Sequence, residues 1–171
     1  IGIFNRSQYE EVLVVRVHPQ ILDNQQLPEL PDLETVWVER LKSIREQEEH
    51  LARNGTVILK FWLNVSKDEQ KKRFLARLDK AEKNWKFAPR DVVERRYWDD
   101  YMAAYEDALN ATSRPWAPWY AIPADDMRYM QARVAGIIIE ALQSIGLAYP
   151  EPSAEDRAEF EEARAELEGD S

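Results

Sequence analysis

The stretch that most constrains this chain is Thr56-Val57-Ile58-Leu59-Lys60-Phe61-Trp62-Leu63-Asn64-Val65, a nearly continuous apolar run of strand length. A strand with one face in water alternates apolar and polar residues, whereas a run apolar at successive positions suits a parallel strand covered on both faces. Parallel neighbours are joined by long crossovers, usually helical, so helices are expected on either side of it. Upstream, Asp32 can cap a helix running to about Arg53, with Leu33, Val36, Trp37, Arg40, Leu41, Ile44 and Leu51 at helical spacing and Asn54-Gly55 as its stop. Downstream, Ser66-Lys67-Asp68-Glu69 reads as a capping box: the serine oxygen meets the Glu69 N–H while the Glu69 carboxylate reaches back to the Ser66 N–H.

That box opens a helix to about Leu78, Lys83 to Ala88 reads as loop, and Pro89 starts a long helix to about Asn110. Trp116 to Pro123 holds a short strand entered through a proline turn, and Asp125-Asp126 opens a helix to Gly146. In that helix Val134, Ile137, Ile138, Ile139, Leu142 and Ile145 should pack on the sheet. At the front, Ile1-Gly2-Ile3-Phe4 reads as an apolar strand already under way, so the chain is expected to be cut there. Tyr9, Val12, Leu13, Val15 and Val17 predict a buried helix, with a strand left open by their β-branched content. Pro19 ends it, and Leu27-Pro28-Glu29-Leu30-Pro31 is a proline-punctuated loop. The layout is α/β with a parallel sheet, from which residues 66–110 form a helical excursion.

The chain has 171 residues, 44% of them hydrophobic, enough for one domain to bury a core. No apolar run approaches the roughly 20 residues that span a bilayer, and no signal-like segment opens the chain, so a soluble cytoplasmic protein is expected. With no cysteine there is no thiolate metal site, and His18 and His50 lack ligand spacing. Charge is uneven. Of the net −9, residues 151–171 hold −7, which predicts an acidic tail that is either helical or a disordered solubilising extension. Residues 67–96 hold eleven basic and six acidic residues, a local +5 that a phosphate-bearing ligand would feel within a Debye length of about 8–10 Å.

Inside that island Arg73 and Arg77 stand four apart on one helical face, Lys83 and Lys86 flank Trp85, and Arg90, Arg95 and Arg96 follow. Guanidinium forks suit phosphate oxygens; the competing reading is a solvated face with intrahelical pairs such as Asp91 with Arg95. Asn5-Arg6-Ser7 follows the first apolar stretch, at a strand's carboxyl end where open α/β sheets bind ligands, though Asn5 and Ser7 could equally cap the next helix. Asp125-Asp126 could be only a helix N-terminal pair. Of the six tryptophans, Trp85 is the one expected outside the core. Glycines at 2, 55, 136, 146 and 169 alone allow no G-x-x-x-x-G-K-[ST] loop.

Taken in order, Gly2-Ile3-Phe4-Asn5-Arg6-Ser7-Gln8-Tyr9-Glu10-Glu11-Val12-Leu13-Val14-Val15-Arg16-Val17-His18 and Lys60-Phe61-Trp62-Leu63-Asn64-Val65-Ser66-Lys67-Asp68-Glu69-Gln70 resemble the polyphosphate kinase 2 family. Arg73-Phe74 with Arg77, Lys83-Asn84-Trp85-Lys86-Phe87, Tyr97-Trp98-Asp99-Asp100-Tyr101, Ala117-Pro118-Trp119 and Asp125-Asp126 continue the match to about residue 149. The resemblance implies a P-loop kinase-like, thymidylate-kinase-like three-layer parallel sheet with a helical lid. It also implies Mg²⁺-dependent phosphoryl transfer between inorganic polyphosphate and a nucleotide, with AMP or ADP as acceptor and ATP among the nucleotides bound. In the family the Walker A loop and an acidic metal ligand precede the segment matching Ile1, so this stretch reads as a carboxyl-terminal part, expected to be inactive alone. Residues 4–7 resemble the Walker B segment, Phe-Asp-Arg-Ser in many members. That resemblance places Arg6 and Arg73 at the transferring phosphate with Asn5, a neutral amide where a carboxylate metal ligand is usual. Arg77, Lys83, Lys86 and Arg96 fall in the lid and would bind polyphosphate or nucleotide phosphates. Met127 and Gln131 stand where many relatives have basic residues. The expected partners are polyphosphate and nucleotides in a homo-oligomer, with neither nucleic acid nor membrane. The alternatives are an ATP-using nucleotide kinase and a non-catalytic polyphosphate-binding fragment.

Overall fold

In the computed structural model, residues 1–27 and 32–169 are described; the Pro28 to Pro31 part of the expected loop lies outside them. The apolar run forms β1 (Lys60–Asn64), paired in parallel with β2 (Trp119–Pro123) in the register Lys60 to Trp119 through Asn64 to Pro123. The crossover between them is helical, as a parallel pair demands: α3 (Lys67–Asp79), a 3-10 helix (Ala81–Lys86), α4 (Pro89–Glu94), a 3-10 turn (Arg95–Tyr97) and α5 (Trp98–Thr112). Before the sheet come a 3-10 helix (Gln8–Val12), α1 (Val14–Val17), a second 3-10 helix (Pro19–Asn24) and α2 (Leu33–Arg53). After it come α6 (Met127–Ser144) and α7 (Ala154–Gly169). The contacts divide the chain into one compact unit up to Ile138 and a second from Ile139 onward.

The core of the first unit is built by the amino-terminal segment against α2 and α5. Tyr9, Val12 and Leu13 pack with Leu41 and Ile44 of α2 and with Ala104 and Ala108 of α5, where small residues four apart let the helix come close. Val15, Leu22, Val36 and Trp37 form a neighbouring cluster. The Asp32 cap is as the sequence predicts: its carboxylate accepts from the Thr35 N–H at 3.1 Å, and the Thr35 hydrogen bonds chiefly lower its pKa against the opposing effect of desolvation.

Several expectations are corrected. Residues 1–4 form no strand and are exposed, Ile1, Ile3 and Phe4 almost wholly, because a strand needs a hydrogen-bonding neighbour and none flanks them among the described residues. The described sheet therefore has two strands, and the three-layer arrangement is not seen in it. The 56–65 strand is shortened to Lys60–Asn64, and its burial falls along its length, from buried Lys60 to exposed Leu63 and Asn64, so it is not covered evenly. The 7–17 segment is helical but broken at Leu13 between a 3-10 helix and α1. Lys83 to Ala88 is mostly 3-10 helix rather than loop, and the helix expected from Pro89 to Asn110 is interrupted by the Arg95–Tyr97 turn. No residue of α6 is buried: of the residues expected to pack on the sheet, Val134, Ile137, Ile138 and Leu142 are half-buried and Ile139 and Ile145 are exposed. In the acidic tail, α7 realises the helical alternative, with every described residue exposed.

Candidate functional site

One feature the sequence reading missed lies at the heart of the body. Lys60, the lone charge inside the apolar run, is buried, and its ammonium donates to Glu48 Oε2 at 2.6 Å, to the Tyr9 hydroxyl at 3.0 Å and to the Thr112 carbonyl at 3.0 Å. All three ammonium protons are thereby used. The Tyr9 hydroxyl donates in turn to Glu48 Oε1 at 2.9 Å. Burial pushes the Tyr9 pKa far up, so the hydroxyl keeps the proton this bond needs, and burial lowers that of Lys60 against the opposing pull of Glu48. A lysine in an apolar strand with a glutamate at the core-facing end of the preceding helix was the available signal. The network joins α2, β1, α5 and the amino-terminal segment, and has no donor left for a substrate.

The carboxyl ends of the two strands lie side by side, and the foot of α3 is built on them. The Ala124 N–H donates to the Asn64 carbonyl at 2.9 Å, carrying the pairing one step past the strands. Ser66 caps α3 through the Glu69 N–H at 3.1 Å, as the capping box predicts, but the reciprocal half differs. The Ser66 N–H donates to Asp125 Oδ1 at 2.7 Å, and that bond first of all lowers the Asp125 pKa. Glu69 is left to pair with Arg73 Nε at 3.0 Å. Arg73 Nη2 donates to the carbonyls of Ala124 at 2.7 Å and Asp125 at 3.1 Å, so this guanidinium is largely engaged by the protein itself. Asp126 takes the helix-capping part, its Oδ1 accepting from the Arg128 and Tyr129 N–H groups.

Beyond this foot the basic residues sit on an arm. The Arg77 guanidinium lies over the Phe74 ring at 5.6 Å, and Phe74 meets Phe87 edge-on at 6.3 Å. The Asn84 side chain donates to the carbonyls of Arg77 and Leu78, closing the end of α3 onto the 3-10 helix that carries Lys83 and Lys86. Trp85 is 78% exposed, as expected, with the Lys86 ammonium 4.8 Å from its ring, but Trp116 is exposed as well, against the expectation that the other tryptophans lie in the core. The competing reading of the island as a self-paired face is half right. Lys72 and Arg73 pair with Glu69 and Arg90 pairs with Glu94, while the expected Asp91–Arg95 pair is replaced by Arg95 bonds to the Lys67 carbonyl and the Gln70 side chain. Among the described residues Arg77, Lys83, Lys86 and Arg96 form no ion pair.

Arg6 lies elsewhere, pairing with Glu10 at 3.3 Å, and its backbone is in the left-handed region at φ 73°, a conformation disfavoured for any residue with a Cβ. Ser7 caps the following 3-10 helix through the Tyr9 N–H, while Asn5 is exposed. No three Asp, Glu, His or Cys side chains among the described residues converge as a metal site. Asn5 offers one neutral oxygen, where a carboxylate would be the stronger magnesium ligand. No helix among the described residues is long and apolar enough to cross a membrane.

Residues 1–148 match the family model for polyphosphate kinase 2, and the chain belongs to that family. It is 51% identical over 168 residues to an ADP-polyphosphate phosphotransferase of Rhodopseudomonas palustris, covering 98% of this chain and 58% of that protein. It is 49% identical over 150 residues to an AMP/ADP-polyphosphate phosphotransferase of Meiothermus ruber, covering 88% of this chain and 52% of that protein. The crystal structure of polyphosphate kinase 2 from Arthrobacter aurescens superimposes with a TM-score of 0.79 at 41% identity, over 94% of this chain and 54% of the other. The chain thus spans slightly more than half the length of these relatives.

Proposed function

We propose that this chain is the arm-bearing part of a P-loop kinase-like phosphotransferase that moves a phosphoryl group between inorganic polyphosphate and AMP or ADP. The observation that carries the reading is the set Arg77, Lys83, Lys86 and Arg96, which, like Lys67, Lys71 and Lys80 of the same arm, form no ion pair among the described residues. Cations that a protein leaves unpaired on one element raise the local potential, and a phosphate chain supplies the missing anions. The names of the relatives support the same substrates.

In the transfer, an oxygen of the nucleotide's terminal phosphate attacks the terminal phosphorus of polyphosphate. The P–O bond to the rest of the chain breaks, leaving the nucleotide longer by one phosphate and the polymer shorter by one. The reaction asks for positioning and charge neutralisation rather than covalent help from the protein. Arg77, Lys83, Lys86 and Arg96 would neutralise the polymer, and Arg6, held in its left-handed turn, would meet a phosphate at the amino-terminal end. Arg73 would hold the arm to the strand ends and have its Nη1 left to donate. Magnesium, which the family resemblance implies, would neutralise charge on the phosphate substrates.

The test uses the complete natural protein carrying this sequence, incubated with polyphosphate and AMP or ADP. Formation of ADP or ATP is expected, with Arg77→Ala lowering turnover at least about tenfold while folding is retained. If ATP alone serves as donor, the protein is an ordinary nucleotide kinase. Salt-sensitive polyphosphate binding without transfer would leave a binding module.

A further inference from the structure

We propose that His18 and Glu94 are a positioning pair that fixes the foot of the basic arm to the body, so that the phosphate-binding side chains are held in one pose. The inference rests on the reading of the arm as a phosphate binder. Glu94 is the last residue of α4, immediately before the Arg95–Tyr97 turn where the arm gives way to α5 and its buried Ala104 and Ala108. Its carboxylate gathers three partners there. His18 Nε2 lies 2.7 Å from Oε2, the Tyr101 hydroxyl donates to the same oxygen at 3.1 Å, and Arg90 Nε stands 3.5 Å from Oε1.

His18 is 8% exposed and closes α1, whose Val15 belongs to the second buried cluster, so it is part of the body. Its ring meets Tyr97 edge-on at 4.8 Å and Tyr101 at 6.4 Å, which leaves it little freedom to turn away. The partners are 76 positions apart, so the pair is a tertiary contact and not a helical neighbour. The hydrogen bond from His18 is also what chiefly holds the Glu94 carboxyl below the usual range, as a bond to the charged form must.

The number of fixed points sets how freely the arm can move. The α3 foot is pinned by Arg73 to Ala124 and Asp125 and by Asp125 to Ser66. Arg95 braces it to the other foot through the Lys67 carbonyl. The Arg95 brace joins the two feet to each other, and the His18–Glu94 pair adds the bond that ties the α4 side to the amino-terminal segment. At the far end, the 3-10 helix with Lys83 and Lys86 is hydrogen-bonded to the end of α3 through the Asn84 side chain.

The test compares the complete natural protein with its His18→Ala, His18→Gln and Glu94→Ala variants by amide hydrogen exchange and by steady-state kinetics with long-chain inorganic polyphosphate. Each alanine is expected to speed exchange in residues 81–94 about tenfold, the factor that one charge-assisted hydrogen bond controls, while α2 exchanges as before. It should also raise KM for polyphosphate several-fold and change kcat less. His18→Gln, which keeps a donor, should recover most of both effects. Unchanged exchange in the arm of both alanine variants overturns the proposal, and so does exchange that rises equally in α2 and the arm, which marks a general loss of stability. Glu94→Ala, made at the more exposed partner, decides the matter if His18→Ala fails to fold. A wild-type protein that never binds polyphosphate overturns the functional reading, while the exchange comparison still stands or falls by itself.

Discussion

Lys60 in the body and Lys86 on the arm carry the same ammonium into opposite surroundings. Lys60 is buried with three acceptors within 3.0 Å, whereas Lys86 is exposed beside the Trp85 ring and has no carboxylate partner. A buried ammonium without partners would cost several kcal/mol, so the body satisfies Lys60 completely and thereby freezes it. An exposed ammonium loses little by standing alone, because water solvates it until an anion arrives. The body spends its charges on holding four elements together, and the arm keeps its own in reserve.

That contrast breaks first at Glu48. Glu48→Ala strands a buried ammonium and is expected to lower stability by about 3–5 kcal/mol, read from denaturant unfolding; a loss below about 1 kcal/mol would show that water reaches Lys60. Tyr9→Phe removes one acceptor from Lys60 and one donor to Glu48, and a smaller loss of about 1–3 kcal/mol is expected in the same measurement.

The acid limb of stability sharpens the comparison at the joint between the two regions. Glu94 has a folded pKa below its unfolded value, chiefly through the His18 bond. Its contribution is therefore present above the unfolded value of about 4.3 and is lost as pH falls through the depressed folded value. Glu94→Gln should flatten the stability profile on that acid side. The smallest stability effect belongs to Lys83→Ala combined with Lys86→Ala, expected within about 0.5 kcal/mol of the parent. The same variant should bind polyphosphate more weakly and with a shallower salt dependence, because fewer counter-ions are released.

Much of the frame was legible in the sequence because its signals are local. The Asp32 cap, the Ser66 cap, the proline at the start of α4 and the β2 strand each depend on a few neighbouring residues, and each is found. The Ile1 to Phe4 strand was misread because apolarity shows that a segment can pair, not that a neighbour is present. Half of the capping box was misread because Asp125, 59 positions away, takes the Ser66 N–H that Glu69 was expected to reach. The basic island was visible as a count, but which of its cations are spoken for was not, since Arg73 is engaged by carbonyls and Arg95 by Lys67 and Gln70.

The sequence by itself determined the parallel strand, the helical crossover, the concentration of positive charge between residues 67 and 96, and the ordered motifs that mark the family. Those properties reside in the period of apolar residues, in caps three residues long and in the identity of side chains, none of which needs distant partners. Only the tertiary structure decided that Lys60 meets Glu48 and Tyr9, that His18 meets Glu94, and that Arg77, Lys83, Lys86 and Arg96 form no ion pair among the described residues. Whether a charge is satisfied depends on what folding brings within about 4 Å of it, and residues far apart along the chain carry no local sign that they will meet.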